Sequence, residues 1–128
     1  MLPPAVVIHG LAQARAALAP GRPVTLLSAP GAGVYAGVGW WRALIAAAAP
    51  PPGTPDVLDC AASPGRALEA LRGGQALLIL RCAPGVWQDI EERAASQGAR
   101  LLDARPPALD LAGRGADRRL AAWLATGN

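Results

Sequence analysis

Short apolar runs rich in β-branched residues alternate along this chain with segments whose apolar residues recur every three or four positions. The runs Ala5–Ile8, Val24–Leu27, Asp56–Cys60, Ala76–Leu80 and Arg100–Asp103 have the length of buried strands. Most are nearly continuous in apolar character, as parallel strands covered on both faces are. Between them, Leu11, Ala14 and Leu18 predict one helix, closed by Pro20-Gly21. Val38, Trp41, Ile45 and Ala48 predict a second, which Pro50-Pro51-Pro52-Gly53 cannot continue. The third opens with Ser63 as N-cap and Pro64 at the first helical position, buries Leu68 and Leu71, and stops at Gly73-Gly74. A fourth, from about Gly85 to Gln97, carries Val86, Ile90 and Ala94 on one face, with Gly98 past its end.

Beyond Asp103 the pattern changes. Arg105-Pro106-Pro107 reads as extended chain, Asp110 to Arg114 as loop, and Asp117 as the cap of a last helix through Leu120, Trp123 and Leu124. That helix needs a surface to cover its Trp and two Leu, either this domain or a second subunit. The alternation predicts one α/β domain over residues 1–128: a three-layer sandwich with a mostly parallel sheet of about five strands, Rossmann-like or flavodoxin-like, with residues 104–128 as an extended segment and C-terminal helix.

Composition narrows the classes. The chain is 52% apolar and 16% charged, which is a globular balance and not a disordered one. All 12 basic residues are arginine, and against 9 acidic ones they leave a net charge of only +3. They are scattered, the tightest group being Arg114, Arg118 and Arg119 around Asp117, and no dense basic stripe with interleaved aromatics marks a nucleic-acid surface. Nothing between Arg22 and Arg42 carries a formal charge, about a membrane span's length, but Pro23, Pro30 and several glycines break the run. No basic segment precedes the first apolar residues, and two cysteines make no disulfide framework, so a cytoplasmic setting is the expectation. One histidine and dispersed carboxylates offer no metal-ligand spacing.

Right-handed crossovers gather the strand carboxyl ends on one edge, where open α/β sheets bind ligands. That edge collects His9-Gly10, Ser28 to Gly33, Asp59-Cys60, Arg81-Cys82 and Asp103 to Arg105. Ser28-Ala29-Pro30-Gly31 is echoed by Cys82-Ala83-Pro84-Gly85, so two strands end in the same turn chemistry. Within Gly31 to Gly39, the glycines Gly33, Gly37 and Gly39 form G-x-x-x-G-x-G. This resembles the nucleotide loop of short-chain dehydrogenases, and the resemblance implies a phosphate approached by the Gly31–Gly39 backbone and a ribose held by Asp59. It covers only that loop and Asp59. The chain has no lysine, so the family's Tyr-x-x-x-Lys pair is absent.

His9 stands at a strand end as a candidate general base or as a hydrogen-bonded structural residue. Asp59 orienting His9 toward Ser28 would make a nucleophile set, though Ser28 lacks the G-x-S-x-G context. Cys60 and Cys82, closing two strands, are a candidate thiol pair or small buried hydrophobes. Trp40 and Trp41 are adjacent on a helix, so one fits the core while the other needs a ligand, loop or partner. Arg42 and Arg66 near helix starts are candidate anion contacts.

The expectation is a domain binding a small anionic molecule, a nucleotide or phosphorylated metabolite, through Ser28, Gly31, Gly33, Gly37, Gly39 and Asp59. The alternative is a non-catalytic homodimer or accessory protein using a tryptophan and the Leu120–Leu124 helix. Whether His9, Cys60 or Cys82 catalyses anything stays open, and no cofactor is named.

Overall fold

A computed structural model describes residues 1–127. The expected runs become β1 (Ala5–Val7), β2 (Thr25–Leu27), β3 (Asp56–Asp59), β4 (Leu77–Ile79) and β5 (Arg100–Leu102). A sixth strand, β6 (Ala108–Asp110), joins them, so the sheet has six strands and not about five. All pairings are parallel and the order is β5-β4-β3-β2-β1-β6. The helices are α1 (Leu11–Leu18), α2 (Ala32–Tyr35), α3 (Val38–Ala48), α4 (Pro64–Arg72), α5 (Pro84–Ser96) and α6 (Ala116–Ala125). A parallel sheet flanked by helices is the α/β architecture read from the sequence, consistent with a three-layer Rossmann-like or flavodoxin-like sandwich.

The layers are unequal, and the strand order explains why. From β1 to β5 each strand is added beside the last, and right-handed crossovers that always step the same way put their helices on the same face. Accordingly α1 packs on α3, α3 on α4 and α4 on α5. Their apolar sides meet Val6, Ile8, Leu26, Leu58, Leu78, Leu80 and Leu101 in the larger core. Alternate strand residues, Ala5, Val7, Leu27, Val57 and Ile79, point the other way into a smaller cluster with Ala32 of α2 and Leu2. Burial on both sides accounts for strands with so little polar alternation.

Several details depart from the sequence reading. α2 is a single helical turn that periodicity did not announce, set between Gly31 and Gly37, both at positive φ (71° and 101°). Asp117 is not the cap of α6; Gly115, at φ 71°, takes that place and Asp117 falls in the first turn. Val86 is exposed, while Ile90 and Ala94 of the same helix are buried. Ser63 does cap α4, its Oγ accepting from the Arg66 N–H at 3.2 Å, with Pro64 behind it. Leu120 and Leu124 of α6 are buried in this chain's own larger core, and the Trp123 indole donates to the Ala5 carbonyl at 2.7 Å.

Of the tandem tryptophans, Trp41 is the core residue. Its indole donates to Asp56 at 2.9 Å, and the same carboxylate accepts from the amide of buried Gln75, which donates also to the Asp56 and Leu77 carbonyls. Arg42 donates to Gln75 at 3.1 Å and lies 3.6 Å from Asp56. The amino edge of the sheet is thereby closed by a hydrogen-bonded network. Among the described residues no helix is long and apolar enough to cross a membrane.

Candidate functional site at the carboxyl edge

Because all strands are parallel, their carboxyl ends share one edge, and it divides into three parts. At the centre, Asp59 is completely buried on the face that also carries Val57. One carboxylate oxygen accepts from the Ala61 N–H at 2.8 Å and the other from Arg105 at 2.8 Å. Arg105 belongs to the segment 103–107 that returns from β5 to β6, and it also donates to the Ser28 carbonyl at 3.0 Å. The Ser28 hydroxyl accepts from the Asp59 N–H at 2.9 Å and donates to the Ala29 carbonyl at 3.0 Å. The Ser28 hydroxyl and both Asp59 carboxylate oxygens have protein partners, so Asp59 and Ser28 form a structural lock beneath a strap.

The glycine loop lies over the same lock. A Cβ on Gly33 would stand 3.0 Å from the Asp59 carbonyl oxygen and 3.1 Å from the Cys60 sulfur, so this glycine lets α2 press on the end of β3. Gly31 and Gly37 serve the positive-φ entries of α2 and α3. Gly39, in the first turn of α3, faces open space. Cys60 is buried beside the lock; burial above all, then the charges of Asp59 and Glu69, push its thiol up to about 12 against the opposing pull of Arg66. It is neither a thiolate nor half of a disulfide.

At the β1/β6 side, His9 is exposed and its Nε2 lies 2.7 Å from the Asp110 carboxylate. Burial raises the Asp110 pKa, but the Ala112 N–H, the hydrogen bond and charge of His9, and the charge of Arg105 outweigh it and hold the carboxyl below its usual range. The structure does not assemble His9, Asp59 and Ser28 as a catalytic set: His9 takes Asp110, and Asp59 takes Arg105.

The β4/β5 side is the open part. Leu80, Arg81, Cys82, Pro84, Trp87, Gln88 and Asp103 line a cleft of about 450 Å³. Leu80 N–H donates to the Leu102 carbonyl at 3.0 Å, so the next residues, Arg81 and Asp103, leave neighbouring strand ends together. Arg81 anchors its backbone N–H on the Ala61 carbonyl at 2.8 Å and leaves its side chain exposed. Among the described residues neither Arg81 nor Asp103 forms an ion pair, whereas Arg66 is matched by Glu69 at 2.7 Å. Trp87 in the first turn of α5 points back toward the strand end, its indole donating to the Leu80 carbonyl at 2.8 Å. Cys82 is half-buried in the same wall.

Sequence reading named Arg81, Cys82 and Asp103 as edge residues but missed Trp87 and Gln88. The usable signal was a tryptophan one turn into the helix that follows a strand end, since helical side chains lean toward the N-terminus. The fold and edge define an all-parallel α/β domain with an open cleft beside a closed lock. No protein-family model and no curated protein matches this chain.

Proposed function

We propose that this chain is a binding domain for a small anionic molecule, with Arg81 as the counter-charge. What supports the reading is a guanidinium with no carboxylate partner among the described residues, on the wall of a cleft at the carboxyl ends of β4 and β5. A volume of about 450 Å³ falls in the range of small-ligand sites, and Leu80, Pro84 and Trp87 supply apolar wall beside the charge. The reading moves the anion away from the Gly31–Gly39 loop, because Gly33 has backbone against it and Asp59 is already paired. Binding is tested by thermal denaturation against nucleotides, phosphorylated metabolites and small carboxylates. A ligand at a hundred times its dissociation constant adds about 2.7 kcal/mol to stability. The shift should vanish in Arg81→Ala; a shift that survives this substitution, or none from any compound, defeats the reading.

A second reading, a homodimer, draws on Val34, Tyr35 and Trp40, which stand exposed around α2 and the start of α3. A second copy would cover them. Sedimentation of the protein and of Tyr35→Ser/Trp40→Ser decides: a monomer at all concentrations rules it out.

A further inference from the structure

The open cleft carries charges of both signs, and this narrows what it accepts. Arg81 and Asp103 leave adjacent strand ends, line the same wall, and form no ion pair with each other or with any described residue. A phosphate dianion would satisfy Arg81 while setting its charge against Asp103, a like-charge placement that costs binding. A ligand with a carboxylate and an ammonium neutralises both residues at once. Of the rest of the lining, Leu80, Pro84 and Trp87 form an apolar wall that suits a hydrocarbon or aromatic substituent, with Cys82 and Gln88 beside it.

We infer that the cleft takes a small zwitterion with an apolar side chain, an α-amino acid or its close analogue. Its carboxylate lies on the Arg81 guanidinium, whose planar fork fits two carboxylate oxygens, and its ammonium on Asp103. This inference rests on the binding reading above and names the ligand class for the same site.

The test measures binding of four probes, L-phenylalanine, 3-phenylpropanoate, 2-phenylethylamine and adenosine monophosphate, by the indole N–H resonance of Trp87, identified through its loss in Trp87→Phe. L-Phenylalanine should bind at least about tenfold tighter than the acid or the amine, each of which forgoes one ion pair. Asp103→Asn, at an exposed position, should remove the preference for phenylalanine over 3-phenylpropanoate, weakening the amino acid while leaving the acid's own affinity undiminished. If the acid or the nucleotide binds as tightly as phenylalanine, or if Asp103→Asn keeps the preference, the zwitterion is overturned while the anion site stands. If none of the four moves the Trp87 resonance, the inference fails, and the site itself fails with it when the wider panel also gives no Arg81-dependent shift.

Discussion

After β2 the chain reads Ala29-Pro30-Gly31 and after β4 it reads Ala83-Pro84-Gly85, yet the two turns end in different places. In the first, Gly31 takes φ 71° and caps a one-turn helix that lies on Asp59 and Cys60. In the second, Ala83 is the cap, Pro84 opens a 13-residue helix directly, and Gly85 lies inside it. What lies above them differs as well. The strap 103–107 lays Arg105 across the first turn's Ser28 and Asp59, while the second turn keeps Arg81 and Asp103 free beside a cleft. The same tripeptide therefore gives a lock where another segment crosses it and an open cleft where none does. Turn chemistry brings a chain to the sheet edge; a residue remote in sequence decides whether that edge stays open.

The sharpest way to test this contrast is through the two cysteines, one beside each turn. Cys60 is buried with its thiol pushed up to about 12, so it holds far less thiolate than an exposed thiol would. A disulfide reagent applied to the native protein should modify Cys82 alone, and Cys60 only after denaturation. Modification of both thiols at similar rates would show that the lock opens readily. Next in size is Arg105→Ala, which strands the Asp59 carboxylate in the core without its partner. A loss of about 3 kcal/mol is expected in urea unfolding. A loss below about 1 kcal/mol would mean that the strap rests on the sheet without holding it.

The lock also shows what a single sequence conveys and what it withholds. The five apolar runs were legible because burial on both faces leaves a strand nothing polar to display, and the parallel arrangement that gathers their carboxyl ends follows from the helices between them. β6 was not legible: Ala108-Leu109-Asp110 has no strand pattern of its own and becomes one because β1 offers a free edge. Asp59, Ser28 and His9 were rightly placed near the edge, but their partners were not predictable from spacing. Asp59 pairs with Arg105 at a separation of 46 residues, and His9 with Asp110 at 101. Local residue types bring polar groups to an edge, and tertiary geometry pairs them. The Trp41–Asp56–Gln75 network on the opposite edge was invisible for the same reason.

Glycine substitutions compare the turns more finely. At Gly33 a methyl group meets a backbone oxygen at 3.0 Å, and Gly33→Ala should cost about 1–3 kcal/mol through overpacking. At Gly31 there is room, with the nearest atom 3.9 Å away, but φ is 71°, so Gly31→Ala should cost about 1 kcal/mol of backbone strain. Gly85→Ala meets nothing within 4 Å and sits in a helix, so it should stabilise the protein by about 0.4–1 kcal/mol. A destabilised Gly85→Ala would make the two turns structural equivalents after all.

The smallest effect on stability is expected at the residue given the largest role in binding. Among the described residues Arg81 makes no ion pair, and its backbone N–H bond to the Ala61 carbonyl is one that alanine retains. Arg81→Ala should therefore leave the unfolding midpoint within about 0.5 kcal/mol of the parent, while Arg105→Ala, the same substitution one strand end away, does not. If both arginines proved equally important to folding, Arg81 would have a structural partner and the cleft would be a second lock. A neutral Arg81→Ala with unchanged cooperativity leaves a charged side chain at the sheet edge that folding does not need, free for the binding role proposed for it.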